Sequence, residues 1–139
     1  MGHRDRVVKL GRTKAHRDAM LKNMAMSLLE HRVIKTTDAK AKALRPVIDR
    51  IIATAKKGTL ASKRQVAKTV SQKKVFKKLF DEIVPQFEDR TSGFTRVIKL
   101  GVRRGDGAPM SVVELLTEKP KVETDKKDKK AKKKTAAKK

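Results

Sequence analysis

The sequence predicts an α/β domain of the α+β kind, with two layers, about four helices and a sheet that includes an antiparallel C-terminal strand pair. Between Arg17 and Pro85 the apolar residues recur at helical spacing in four stretches, interrupted by a short β-branched segment. After Asp89 the spacing shifts towards two, and two strand-like runs flank a turn with two glycines. Two strands alone are marginal in water, so the helices are expected to cover one face of the sheet.

Residues 1–16 read as a basic, mostly irregular N-terminal arm, with only Val7, Val8 and Leu10 to anchor it and Thr13 as a candidate N-cap. From Arg17 to His31, Met20, Leu21, Met24, Ala25, Leu28 and Leu29 form an apolar stripe, with Lys22, Asn23, Ser27 and Glu30 facing away. Arg32 to Thr36 is short and β-branched, an extended segment available as a third strand. Thr37 or Asp38 then caps a helix through about Lys57, with Leu44, Val47, Ile48, Ile51, Ile52 and Ala55 on one side. Pro46 lies inside it and predicts a kink or a break, while Gly58 stops it.

Ser62 to Gln72 is a weaker helix with Val66, Ala67 and Val70 as its stripe. Residues 73–84 read as a stronger one, with Phe76, Leu79, Phe80 and Ile83 inward and Lys73, Lys74, Lys77 and Lys78 mostly outward. Pro85 bends or ends it, and Phe87 folds back onto the same core. The strands are expected at Phe94–Leu100 and Met110–Leu116, with Arg103 to Gly107 as the turn. Residues 17–117 thus form the compact domain. Residues 118–139 are a lysine-rich tail with too few apolar residues to order itself.

The formal net charge is +23 on 139 residues. The tail holds eleven Lys against four acids, and the first 117 residues hold 27 Lys or Arg against 11 acids, so the foldable body alone is +16. Small domains are comfortable at a net charge of about 2 to 8. Self-repulsion of that size is most simply offset by a polyanionic partner. The absence of Cys excludes a disulfide framework and a thiolate metal site. No apolar run matches a secretory signal or the roughly 18 residues of a membrane span, so a cytosolic protein is expected.

Two basic clusters stand out. The arm and the residues after it carry Arg4, Arg6, Lys9, Arg12, Lys14, Arg17 and Lys22 against only Asp5 and Asp18. The second cluster is Arg90, Arg96, Lys99, Arg103 and Arg104, with no acid between Arg90 and Gly105. Arginine suits both, since its planar fork grips phosphate and stacks on unpaired bases. Lysines 56, 57, 63, 73, 74, 77 and 78 form a third field that reads equally as a wet helix face.

Enzyme chemistry finds no support. The three histidines are scattered, no serine sits in a nucleophile elbow, and the glycines near residue 105 follow no phosphate-loop pattern. No cofactor or metal is expected. All four aromatics are Phe, and only Phe94, beside Gly93, is a candidate for base stacking. Recognition by an aromatic platform is therefore disfavoured against backbone and shape recognition.

Met1-Gly2-His3-Arg4, Lys9-Leu10-Gly11-Arg12, His16-Arg17, Met20-Leu21-Lys22-Asn23-Met24-Ala25 and Ile34-Lys35-Thr36-Thr37 follow one another in order. With Gly93-Phe94-Thr95-Arg96 and Arg103-Arg104-Gly105-Asp106-Gly107-Ala108-Pro109-Met110, they resemble the bacterial large-subunit ribosomal protein family conventionally numbered seventeen. The resemblance covers nearly all of residues 1–117. It implies a two-layer fold with a small mixed sheet, and a structural constituent of the large ribosomal subunit. Such a protein binds and stabilises large-subunit rRNA near the peptide exit tunnel, beside neighbouring large-subunit proteins, in the cytoplasm. Carried over by residue, the RNA-facing set implied is His3, Arg4, Lys9, Arg12, His16, Arg17, Lys22, Asn23, Lys35, Thr36, Lys40, Arg96, Arg103 and Arg104. Gly2 stands where family members commonly carry a basic residue, and the tail has no family role to inherit.

Two other functions share the electrostatics. A DNA-compacting protein would need an apolar wedge on a β arm, where this turn carries Gly-Asp-Gly. The other is a module for acidic proteins or membrane surfaces, and for the latter the tail lacks the apolar face that a membrane helix needs. Neither a membrane nor a small-molecule substrate is expected as a partner.

Overall fold

The computed structural model describes residues 8–117. The expectations for His3, Arg4, Arg6 and the lysine tail fall outside the described residues. The elements run α1 (Lys14–His31), β1 (Val33–Thr37), α2 (Asp38–Lys56), α3 (Leu60–Ala67), α4 (Lys73–Lys78), β2 (Thr95–Val102) and β3 (Pro109–Leu115). Between α4 and β2 lie a π-helical turn (Leu79–Ile83) and a 3-10 turn (Pro85–Phe87).

The sheet has the order β1-β3-β2, with the C-terminal strand in the middle and both pairings antiparallel. The C-terminal strand pair is as the period-two pattern predicts. The parallel pairing that a mixed sheet requires is absent among the described residues. Val113 pairs with Ile34 on one side and Val97 on the other, and Ser111 with Thr36 and Lys99. Opposed residues share a face in such a ladder. Ser111, Val113 and Leu115 are buried beneath the helices, while Val33, Lys35, Arg96 and Ile98 stand on the outer face. A bulge between Lys99 and Gly101 shifts the register, and Gly101 takes a φ of 109° there that a side chain would strain.

Helix α2 is the centre of the core. Leu44, Ile48, Ile51, Ile52 and Ala55 are buried, as their spacing predicts; Ala41 joins them, and Val47 is only half-buried. The helix runs unbroken through Pro46. Pro46 lies on the exposed side, where solvent can satisfy the carbonyl its missing N–H leaves free. Two carboxylates clip α2 to the sheet: Asp49 Oδ1 accepts from the Phe94 N–H at 3.2 Å, and Asp38 Oδ1 from the Ser111 hydroxyl at 3.0 Å.

Elsewhere the boundaries move. α1 begins at Lys14, inside the expected arm, with Thr13 at the N-cap position but without a side-chain capping bond. Arg32 ends it in the left-handed region at φ 65°, turning the chain into β1 without a glycine. α3 stops at Ala67, short of Gln72, and buries Ser62 and Val66 while Ala67 is exposed. Its start is fixed by the Thr59 side chain, which accepts from the Ser62 N–H at 3.2 Å.

Residues 73–84 are not one α-helix. α4 gives way to the π-helical turn, where the Val84 N–H reaches back five residues to the Leu79 carbonyl at 2.9 Å. Val75, Leu79 and Ile83 point into the core, and Phe76 and Phe80 are only half-buried. Phe94 is fully buried, edge-on against Phe87 with ring centroids 5.1 Å apart, so it is not available for stacking on a base.

Candidate nucleic-acid interface

The cations expected to bind divide by what else they touch. At the start of α1, Leu10 and Gly11 turn the chain with positive φ, and the Arg12 N–H donates to the Lys9 carbonyl at 3.1 Å. Arg12 Nη1 donates to the Leu10 carbonyl at 2.9 Å, and Arg17 Nη1 to the Arg12 carbonyl at 3.4 Å. Both guanidiniums are half-buried and shape the turn that presents Lys9, Lys14 and His16, which are exposed. Lys22 donates to the Lys68 carbonyl at 3.3 Å, tying α1 to the end of α3, and Asn23 is exposed beside it.

The second cluster is two sites, not one. At the base of the sheet a groove of about 350 Å³ is lined by Arg32, Val33, Arg90, Arg96, Glu114 and Leu115, with Leu116 and Thr117. The order β1-β3-β2 brings Arg32, Arg90 and Arg96 together there. Arg96 pairs with Glu114 at 3.3 Å and Arg32 with Glu82 at 2.9 Å. Arg32 was no part of the expected set, because in sequence it reads only as the lead into a strand.

At the far end of β2, roughly 20 Å away by strand rise, the hairpin tip carries Arg103 and Arg104. Arg103 grips Asp106 through both ends of its fork, Nε to Oδ1 at 3.0 Å and Nη2 to Oδ2 at 2.6 Å. Asp106 Oδ1 also accepts from the Ala108 N–H at 3.3 Å. The Arg103 hydrogen bonds, then that of Ala108, hold the Asp106 carboxyl down at about 2. Arg103 therefore stiffens the tip, and Arg104 is exposed with no side-chain partner among the described residues. Lys99 lies between the two sites and close enough to Asp38 to favour its ionised form.

The remaining expected residues are spread out. Lys35 is exposed on the outer face of the sheet, whereas Thr36 faces inward and is half-buried, as is Lys40 on α2. The third field is largely occupied by the protein itself. Lys56 donates to the carbonyls of Glu88 and Arg90, and Lys78 to that of Glu30 at 2.6 Å. Lys74 pairs with Glu30 at 3.4 Å, and Lys63 sits over the Phe80 ring at 5.6 Å. Among the described residues no acid, histidine or cysteine cluster is placed to hold a metal, and no helix is long and apolar enough to cross a membrane.

Residues 20–116 match the family described as Ribosomal protein L17. The chain belongs to that family. It is 49% identical to the large ribosomal subunit protein bL17 of Geobacter metallireducens, across 99% of this chain and 75% of that one. Against bL17 of Geotalea daltonii it is 50% identical across 100% of this chain and 74% of the relative. With bL17 of Rubrobacter xylanophilus the identity is 51%, across 84% of this chain and 96% of the relative. Nearly the whole of that last L17 protein is thus matched by part of this chain. The L17 family is one of ribosomal proteins and not of enzymes. This agrees with the want of a catalytic constellation in the sequence.

Proposed function

We propose that this protein is a structural component of the large ribosomal subunit that binds and stabilises folded rRNA near the peptide exit tunnel, in the cytoplasm. Neighbouring large-subunit proteins are its other partners. The observation that carries the reading is the hairpin: a rigid two-strand ladder holds one group of arginines at its base and another at its tip. Fixed cations recognise a folded backbone by shape, which loose charge cannot do. Arg90, Arg96, Lys99 and Arg104 contact phosphate, and Arg103 sets the tip. Lys9, Lys14 and His16 extend the contact from the arm, together with Arg12, Arg17, His3, Arg4 and Arg6. Lys22, Asn23, Lys35, Thr36 and Lys40 complete the interface.

Sedimentation of lysate through sucrose gradients at moderate and high salt tests the reading. The protein should travel with the large subunit at both. Release into the free pool at high salt, or migration with chromosomal DNA, would overturn it.

A further inference from the structure

Helix α2 spends its acids on the sheet. Asp38 receives the Ser111 hydroxyl and pairs with Lys42 at 2.7 Å, and Asp49 receives the Phe94 N–H. Lys42, Arg45 and Arg50 stand exposed on α2, Arg45 and Arg50 on opposite flanks of its solvent side, and exposed Lys57 sits at its C-cap. Arg45, Arg50 and Lys57 have no side-chain partner among the described residues. That contrasts with the α4 lysines, half of which find partners on Glu30.

Between these cations the helix surface is low, because Ala39, Pro46 and Ala53 occupy its exposed centre line. At 1.5 Å per residue, Arg45 to Lys57 covers about 18 Å of helix. On one flank Arg50 shares a shallow groove with Gln65 and Thr69 at the edge of α3. An amide and a hydroxyl beside an arginine can bond a ribose 2′-hydroxyl while the guanidinium holds a phosphate. A protein partner fits this face poorly, since it offers no aromatic or large apolar anchor at its centre.

We propose that the outer face of α2 is a second RNA-backbone site, formed by Arg45, Arg50 and Lys57. This inference rests on the rRNA reading above and adds a direction to it. The core lies between this face and the outer face of the sheet, so the domain bridges two segments of RNA instead of lining one.

The test uses the full-length protein and transcribed large-subunit rRNA, with hydroxyl-radical footprints and binding measured across a salt series. Arg45→Gln, Arg50→Gln and Lys57→Gln are combined, with Lys73→Gln, Lys74→Gln and Lys77→Gln as a control of equal charge. The α2 variant should lose protection of one RNA tract and keep the tract that Arg104→Ala loses. Its salt slope should fall by roughly 2 to 3, at about 0.7 to 0.9 per phosphate contact. The α4 control should keep both tracts. An α2 variant with a full footprint and an unchanged slope overturns the inference, as does equal weakening by the two triple variants. Failure to enter subunits despite a full footprint points to a protein partner and also overturns it. No protected tract with the wild type overturns the rRNA reading itself. Should the triple variant melt early, Arg45→Gln and Arg50→Gln made singly must each still lower the slope by about 0.7 to 0.9.

Discussion

The Ser111 hydroxyl donates a 3.0 Å hydrogen bond to Asp38 Oδ1, joining the middle strand of the sheet to the first turn of α2 across 73 residues of chain. Ser111 is fully buried and Asp38 only partly exposed, so water replaces that bond only in part when it is lost. Ser111→Ala should destabilise the domain by about 1 kcal/mol and lower Tm by roughly 4 °C or more. A thermal melt that does not move would show the clip to be incidental.

The hairpin tip has its own electrostatic fastener. Asp106→Asn removes a negative charge from the protein, yet should weaken rRNA binding, because Arg103 then loses its two-pronged hold on the turn beneath Arg104. Tighter binding by this variant would mean that the acid merely dilutes the charge.

Acid should unfasten the same tip. The folded Asp106 carboxyl titrates at about 2, below its ordinary value near 3.9, so the folded tip binds fewer protons than the unfolded one. Its contribution is complete above about pH 4 and is lost as pH falls through 2. Asp38 is lowered in the same sense, by Lys42 first and then Ser111. The NMR shifts of the Arg103 Hε and Asp106 side chain should follow that titration; shifts that are flat below pH 4 would contradict it.

Phe94→Ala should cost about 3 to 5 kcal/mol in a urea titration, as expected for a large side chain removed from a packed interior. Weakened rRNA binding at unchanged stability would instead place the ring at the RNA surface.

Arg103→Ala combined with Arg104→Ala should reduce incorporation into the large subunit more than deletion of residues 120–139 does. An equal or larger loss from the tail deletion would reduce the interface to general charge attraction.

Much of the framework was legible because it rests on strong, local patterns. The α2 stripe predicts the buried Leu44, Ile48, Ile51, Ile52 and Ala55, and the period-two runs predict both hairpin strands. The segment after Lys73 was not legible in that way. Val75, Leu79 and Ile83 suit an α-helix as well as a π-turn, and the surrounding packing decides between them. Phe94 is hidden for a related reason: its flanking glycine suggests exposure, while the Asp49 clip, 45 residues back, draws the strand start under α2.

The binding site shows the same division. Composition and clustering find the arginines, but pairing depends on the fold. Arg103 and Asp106 become one unit only across a tight turn, and Arg32 joins Arg90 and Arg96 only because the last strand lies between the other two.

Along strand β2, Ile98 on the outer face and Leu100 and Val102 towards the tip are between 42% and 76% exposed, and the far edge of this strand has no partner strand among the described residues. Such an edge is a template for adding another strand, including one from a second copy. Repulsion between chains of net charge +23 opposes such pairing, and salt weakens that repulsion, since the screening length falls from about 10 Å at 0.1 M to about 3 Å at 1 M. Light scattering from the free protein should therefore rise with ionic strength, and a flat response would show the edge to be inert. The positive charge that seeks a polyanion is, until one is found, also the dispersant that keeps this protein from sticking to itself.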